Sequence, residues 1–91
     1  MTSNVRHFVY MLLCSDGTFY VGYATDVERR MYEHNESTKV AKYTRGRRPV
    51  ELVYYEECKS RSDALKREYV LRRKSRVEKA RLMSEFEENI D

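Results

Sequence analysis

The sequence has no long hydrophobic run. None of its apolar stretches approaches the about 20 residues that a membrane-spanning helix needs. The first residues, 1–7, also lack the apolar segment of a secretion signal. We therefore expect a cytoplasmic protein that does not enter a membrane.

Cysteine is scarce as well, with only Cys14 and Cys58 in 91 residues. The two lie far apart in the sequence, and neither has neighbouring ligands at the spacing of a zinc knuckle. In a reducing cytoplasm we expect two buried free thiols and not a disulfide. We expect no small-molecule cofactor.

The net charge is low, since 18 Lys and Arg residues against 15 Asp and Glu residues give only +3. The distribution of the basic residues is more informative than their sum. One set surrounds Gly46 and a second follows in the last third of the chain: Lys39, Lys42, Arg45, Arg47 and Arg48, then Lys66, Arg67, Arg72, Arg73, Lys74, Arg76, Lys79 and Arg81. Such clustering predicts a positive region that attracts a polyanion. The alternative is an ordinary solvated loop and helix surface.

The length and the 41% hydrophobic content leave room for one domain, 1–91, without a second core. Patterning and turn residues predict an α+β fold with the element order β-β-α-β-α-α and a small sheet covered by helices. The predicted strands are 7–14, 18–24 and 50–57, and the predicted helices are 26–35, 61–74 and 76–88. The core then spans about 7–75. The loop 36–49 has no apolar period and has room for one helical turn around 38–42.

Ser15-Asp16-Gly17 separates the first two predicted strands, and an Asp-Gly pair there predicts a hairpin. The length of the loop decides whether Tyr10 and Tyr20 share a face of the sheet, because neighbouring side chains alternate. A two-residue loop separates the two tyrosines. A three-residue loop pairs Tyr10 with Gly22 and puts both tyrosines on one side, with Gly17 in the left-handed conformation. We predict the odd-length loop, or a bulge with the same effect.

Three capping patterns mark the starts of the helices. Thr25 and Glu28 have the spacing of a capping box before the first long helix. Ser60 precedes the second helix. Ser75 and Glu78 repeat the capping-box pattern before the third.

Glu68 stands out on the second helix because it falls among apolar residues. The predicted apolar stripe comprises Ala64, Leu65, Leu71 and Tyr69. A carboxylate on the buried side of a helix is costly unless it is paired or binds a metal. Glu68 is therefore either a ligand of one divalent cation or half of an ion pair with an arginine.

The triplets Phe8-Val9-Tyr10 and Tyr20-Val21-Gly22 resemble the two signature triplets of the GIY-YIG nuclease family. Arg30, ten residues beyond Tyr20, matches the catalytic arginine of the family, and Glu68 matches its metal-binding glutamate. His34 stands where the family often has His or Tyr. The resemblance extends from about residue 8 to 75. The run 42–54 looks like the small, stand-alone bacterial branch of the family.

The resemblance implies a three-stranded antiparallel sheet flanked by helices and a metal-dependent nuclease that acts on nucleic acid, with DNA favoured over RNA. Tyr10 and Tyr20 would position or deprotonate the attacking water, with His34 as another candidate base, and the sequence does not distinguish among them. Arg30 would stabilise charge on the transition state. Glu68 would bind Mg²⁺, or else Mn²⁺. The residues expected to contact nucleic acid are Lys39, Lys42, Arg45, Arg47, Arg48, Arg72 and Arg76.

One feature departs from the family pattern. Many members have an asparagine 12 to 15 residues after the metal-binding glutamate, whereas residues 80–83 here are Ala-Arg-Leu-Met. A polar partner of the phosphate or of a catalytic group is therefore missing, or Arg76 or Lys79 replaces it. Two alternatives to the nuclease therefore stay open: a nucleic-acid-binding module without efficient turnover, and a domain whose basic face binds an acidic protein.

Overall fold

A computed structural model describes residues 5–37 and 42–89. Its elements are β1 (His7–Leu13), β2 (Phe19–Ala24), α1 (Val27–Glu36), α2 (Lys42–Arg45), β3 (Glu51–Cys58), α3 (Arg61–Arg72) and α4 (Arg76–Glu88). Both β2 and β3 pair antiparallel with β1, which gives the sheet order β2-β1-β3. The predicted fold class is therefore confirmed. Most of the helical turn predicted around 38–42 lies outside the described residues, and the turn that is described follows it as α2.

The side chains of β1 contribute to two apolar cores, one on each face of the sheet. Val9 and Met11 pack with Ala64 and Leu71 of α3, and Leu82 and Met83 of α4 lie against this first core. The second core lies on the α1 side and comprises Tyr10, Leu12, Cys14, Ala24 and Val50, with Val27 and Met31 against it. Alternation along one central strand thus explains why helices cover both faces.

The β1–β2 hairpin has the three-residue loop that is needed to put Tyr10 and Tyr20 on one face of the sheet. Cys14 N–H donates to Thr18 O at 2.8 Å, and Gly17 N–H donates to Cys14 O at 2.9 Å. Gly17 has a φ of +82°, in the left-handed region that glycine adopts without strain. The prediction of an odd-length loop is confirmed. A register shift between Met11 and Leu12 in the β1–β3 ladder provides a further irregularity.

The helix caps follow the sequence with one correction. Ser60 caps α3, and Ser75 and Glu78 form the predicted capping box of α4. Asp26, and not Thr25, caps α1 by accepting from Arg29 N–H at 3.1 Å. The helix therefore begins one residue later than predicted, because the carboxylate of Asp26 satisfies the early N–H group in place of the threonine hydroxyl.

The predicted apolar stripe of α3 is only half right. Ala64 and Leu71 are fully buried, whereas Leu65 is 40% exposed and Tyr69 is 61% exposed. Residues 64 and 71 are two turns apart, so they lie on the same face of the helix. Successive side chains are rotated by about 100° around the helix axis, so positions 65 and 69 point away from that face. Leu65 and Tyr69 therefore lie on the flank of α3 and not against the sheet.

Both cysteines are free thiols, Cys14 buried and Cys58 half-buried. Neither is part of a disulfide, as the sequence predicted, although Cys58 is less buried than expected. Within the described residues, no helix is long and apolar enough to cross a membrane.

Candidate active site

The β1–β2 register brings two tyrosines to one face of the sheet. Tyr10 pairs with Gly22 and Tyr20 pairs with Leu12, so both rings lie on the α1 side. The centroids of the two rings are 6.4 Å apart. Tyr10 is buried and Tyr20 is half-buried. The two signature tyrosines thus share one surface, with Tyr20 the more open to solvent.

Gly22 makes room for the ring of Tyr10. A Cβ atom at Gly22 would lie 2.5 Å from the Tyr10 hydroxyl oxygen and 2.6 Å from Cζ. Real Cβ atoms do not come this close to other atoms. The hydroxyl end of Tyr10 therefore lies across the backbone of the edge strand β2, which only glycine allows.

His34 approaches the tyrosines from α1. Its Nε2 lies 2.9 Å from the Tyr10 hydroxyl oxygen. Its ring contacts both tyrosine rings edge-on, with centroids 5.9 Å from Tyr10 and 5.1 Å from Tyr20. The histidine is fully buried. This contact joins residues that are 24 positions apart in the sequence.

Thr44 of α2 completes the surroundings of His34, and sequence reasoning missed it. The Oγ1 atom of Thr44 lies 2.7 Å from His34 Nδ1, and Thr44 is fully buried. Both ring nitrogens of the imidazole therefore have hydroxyl partners. Thr44 sits in a basic loop without an apolar period, so only the fold reveals this contact.

Burial perturbs both partners of the Tyr10–His34 hydrogen bond. It lowers the pKa of His34 to about 4, and the positive charges of Arg30 and Arg48 act in the same direction. It raises the pKa of Tyr10 to about 12, with Tyr20 adding to the shift. At neutral pH the imidazole is therefore uncharged and the Tyr10 hydroxyl keeps its proton.

Arg30 lies on α1 one turn before His34. Its guanidinium donates to Glu33 Oε1 at 3.1 Å, and its charge counteracts part of the pKa rise that burial causes at Tyr10. The side chain is 37% exposed, against 76% for its neighbour Arg29. Of the two adjacent arginines, Arg30 is thus the one directed toward the tyrosines.

Glu68 comes from α3, on the opposite face of the sheet. Its side chain is only 17% exposed, and its Oε2 lies 3.4 Å from Arg72 Nη2. The same Arg72 nitrogen lies 3.4 Å from Val21 O of the edge strand β2. The negative charge of Glu68 makes a small contribution to the raised pKa of Tyr10.

The surroundings of Glu68 fit a cation that takes few protein ligands. Among residues 5–37 and 42–89, no three or more His, Cys, Asp or Glu side chains form a metal-binding group. Glu68 is shielded from solvent, and Arg72 contacts it at the long end of the hydrogen-bond range. One carboxylate with water and substrate phosphate is a coordination that Mg²⁺ accepts.

The basic residues predicted to contact nucleic acid differ in their surroundings. Arg45 and Arg76 are exposed, and Arg72 is the partner of Glu68. The guanidinium group of Arg48 donates to the carbonyl oxygens of His34 and Ser37. Arg47 forms an ion pair with Asp16 at 2.9 Å. Lys39 and the side chain of Lys42 lie outside the described residues.

A shallow cleft of about 150 Å³ opens beside Tyr20. It is lined by Thr18, Phe19, Tyr43, Arg76 and Lys79. The Tyr43 ring lies 5.9 Å from the Tyr20 ring. Within the described part of the chain, neither Arg76 nor Lys79 has an ion-pair partner, so both cations are available to an anionic ligand.

The family model described as the GIY-YIG catalytic domain matches residues 6–81. The chain belongs to this family. Two relatives confirm the resemblance to small bacterial proteins. A UPF0213 protein of Desulfotalea psychrophila is 51% identical over 86 residues, which cover 94% of this chain and 78% of the relative. A UPF0213 protein of Staphylococcus saprophyticus is 49% identical over 80 residues, covering 88% and 96%.

Two solved structures resemble this GIY-YIG chain. The solution structure of a UPF0213 protein from Bacillus halodurans is 47% identical, with a TM-score of 0.54 and coverage of 87% of this chain and 83% of that one. The solution structure of a protein from E. faecalis is 40% identical, with a TM-score of 0.62 and coverage of 100% and 96%.

Proposed function

We propose that this GIY-YIG chain is an endonuclease that hydrolyses phosphodiester bonds in nucleic acid, with DNA preferred over RNA. The observation that carries the proposal is the hydrogen bond of 2.9 Å between Tyr10 and a neutral, buried His34. The Tyr20 ring contacts both partners of this bond, and the charge of Arg30 acts on Tyr10. A bond between two uncharged proton-transfer groups with a cation beside it suits attack by water on phosphorus.

In the proposed reaction, the oxygen of water bonds to phosphorus, and the bond from phosphorus to the leaving sugar oxygen breaks. The proton of the water goes to the Tyr10–His34 pair, and the leaving oxygen takes up a proton from solvent. Tyr20 orients the water, since its ring is half-buried beside the pair. Arg30 binds the phosphate oxygens, on which negative charge builds up, because its guanidinium stays ionised.

Glu68 is the residue we propose as the ligand of Mg²⁺, with Mn²⁺ as a substitute. When bound there, the cation supplies positive charge to the phosphate oxygens. The role of the chain is to hold a carboxylate that is shielded from solvent, with Arg72 as its neighbour. Arg72 then neutralises Glu68 while no cation is bound.

The exposed basic residues form the proposed contact surface for nucleic acid. Arg76 and Lys79 lie in the cleft next to Tyr20, where they can bind the phosphate that neighbours the cleaved one. We propose that Arg45 and Arg72 extend this surface, and the contacts of Lys39 and Lys42 stay predictions from the sequence. We expect a smaller contribution from Arg47 and Arg48, because their guanidinium groups already bind acceptors within the protein.

The decisive experiment is a cleavage assay with Mg²⁺ or Mn²⁺ on single-stranded, double-stranded and branched substrates. Arg30→Ala should lower kcat by about 100-fold or more, in line with the loss of a group that stabilises transition-state charge. Arg29→Ala is the matched control, because Arg29 also lies near Glu33 but is directed to solvent. Equal losses in the two variants would contradict the role of Arg30.

A nucleic-acid-binding module without turnover is the second candidate. The asparagine expected after Glu68 is absent, and Leu82 and Met83 in that stretch pack against the core. Salt-dependent binding of DNA, with no cleavage of any substrate under either metal, would favour this candidate over the nuclease.

A further inference from the structure

The segment that carries α2 is fastened to the β1–β2 turn. Ser15 N–H donates to Arg47 O at 2.9 Å, and Arg47 Nε donates to Asp16 Oδ2 at 2.9 Å. Arg47 Nη1 also donates to Tyr43 O at 2.7 Å, and the guanidinium carbon lies 4.0 Å from the centroid of the Tyr43 ring. A basic side chain in a surface loop thus has two of its N–H donors bound to acceptors within the protein and its guanidinium over an aromatic ring.

Thr44 lies inside this fastened segment. Arg47 N–H donates to Thr44 O at 2.9 Å, which closes the turn around it. The Thr44 side chain is fully buried and meets His34 Nδ1 at 2.7 Å. The contacts therefore form a continuous chain from Asp16 through Arg47 and Thr44 to His34.

We propose that Asp16, Arg47 and Thr44 form a brace that holds the His34 imidazole with Nε2 toward the Tyr10 hydroxyl. This inference rests on the proposed nuclease function. Thr44 is a positioning residue, since it acts through His34, and Arg47 serves the site from within the protein and not as a phosphate contact.

The physical reason is the chemistry of a neutral imidazole, which has one N–H donor and one acceptor nitrogen. When Thr44 accepts the Nδ1 proton, Nε2 is left as the acceptor that faces Tyr10. Without the Thr44 hydroxyl, Nδ1 loses its partner, and the ring has no fixed tautomer or orientation. A proton acceptor displaced by about 1 Å can cost about 100-fold in rate.

Thr44→Val removes the hydroxyl at nearly constant volume, and Thr44→Ser restores it. We expect Thr44→Val to lower kcat by about 100-fold with little change in KM, and Thr44→Ser to recover most of the rate. Should Thr44→Val fail to fold, Thr44→Ser and the Asp16 variant below still test the brace. Wild-type kcat in Thr44→Val, or equal losses in both variants, would overturn the proposal.

Asp16→Asn separates the brace from a phosphate contact. Asparagine keeps an oxygen for Thr18, which donates to Asp16 Oδ1 from its backbone and its hydroxyl, but loses the charge that holds Arg47. The brace predicts a lower kcat with unchanged DNA affinity. If Arg47 contacts phosphate instead, releasing it tightens DNA binding and leaves kcat unchanged. Glu87→Gln, an exposed acid on α4, is the control for the same change in net charge.

The ring-nitrogen chemical shifts of His34 test the brace independently of activity. Nuclear magnetic resonance of the wild type should show a single neutral tautomer with the proton on Nδ1, and Thr44→Val should show a mixture. A mixture in the wild type would overturn the brace even in an active nuclease. A single tautomer in a protein that cleaves no substrate would refute the nuclease but not the brace.

Discussion

At the scale of single residues, a close contact explains why glycine ends the second signature triplet. The hydroxyl end of Tyr10 occupies the space where any other residue at position 22 would place its Cβ atom. The buried Tyr10 ring, wedged against His34, has no room to move away. Gly22 thus serves the hydrogen bond between Tyr10 and His34 and not a turn.

Gly22→Ala should lower the free energy of unfolding by about 1–3 kcal/mol, the cost of overpacking a core, and should abolish cleavage. Urea unfolding and the cleavage assay measure the two effects. Gly46→Ala is the matched control, since no atom lies within 4 Å of a Cβ added at Gly46. A Gly22→Ala protein with wild-type stability and activity would contradict the observed placement of Tyr10.

Glu68→Gln should abolish cleavage while leaving the fold stable. The pair of Glu68 with the 55% exposed Arg72 is a partly solvated contact of 3.4 Å, which predicts a stability loss of at most about 1 kcal/mol. Thermal melts with and without Mg²⁺ provide the measurement. A loss of about 3 kcal/mol or more that does not depend on metal would instead identify Glu68 as half of a structural ion pair.

His34 should make the fold sensitive to mild acid. Its pKa of about 4 in the folded protein lies below its value of about 6.5 in the unfolded chain. Between these two pKa values the unfolded chain binds more protons than the folded protein. The contribution of neutral His34 to the free energy of unfolding is therefore complete above about pH 6.5 and is lost as the pH falls toward 4. In urea unfolding measured from pH 7.5 to 4, the midpoint urea concentration should decrease as the pH passes through this window. His7→Asn should leave the trend intact, and a flat profile would show that His34 is not buried in its neutral form.

At the scale of elements, α1 carries Arg30 and His34, and its carboxyl end is clamped to the start of β3. Asn35 Nδ2 donates to Val50 O at 3.1 Å, and Val50 N–H donates to Asn35 Oδ1 at 2.8 Å. Arg48 adds donors to the carbonyl oxygens at the same end of the helix. These contacts fix the position of the helix that carries both side chains.

Asn35→Ala should therefore reduce stability by about 1–3 kcal/mol, because it leaves the Val50 backbone groups without partners. The cleavage rate should decrease by more than the loss of folded protein explains, since α1 shifts relative to Tyr10. Differential scanning calorimetry and kcat measure the two effects. Glu36→Ala, at the exposed neighbouring position, is the control and should change neither. Loss of stability without loss of kcat in the folded fraction would show that the clamp serves the fold alone.

At the scale of the whole molecule, the low net charge of +3 conceals an uneven surface. Some arginines of the basic loop serve as internal donors, whereas Arg76 and Lys79 in the cleft beside Tyr20 have no ion-pair partner among residues 5–37 and 42–89. The proposed attraction for a polyanion therefore depends on where the cations lie, and less on their total number.

The double variant Arg76→Ala/Lys79→Ala should weaken DNA binding and flatten the plot of log K against log salt concentration by about two units, since each lost phosphate contact removes about 0.9. Fluorescence anisotropy over a range of salt concentrations measures the slope. Lys59→Ala/Lys66→Ala removes the same charge from exposed positions outside the cleft. The same slope change in both double variants would mean that net charge, and not the cleft, governs binding.

The sequence by itself determined the three strands and the three long helices, their order and the sharing of one sheet face by Tyr10 and Tyr20. Each depends on residues that are close in the chain: the three-residue loop ending at Gly17, and the caps at Ser60 and Ser75. Even local signals failed where two neighbours compete, as Asp26 displaced Thr25 at the start of α1.

Only the tertiary structure decided which polar groups meet. The bond between Arg47 and Asp16 spans 31 positions and the bond between Tyr10 and His34 spans 24, while Thr44 meets His34 from a loop without a periodic pattern. The sequence shows the charge of Arg47 but not its pairing with Asp16, which arises only in the folded chain. The pKa values of Tyr10 and His34 are shifted mainly by burial, and burial arises only when the sheet and helices enclose these side chains.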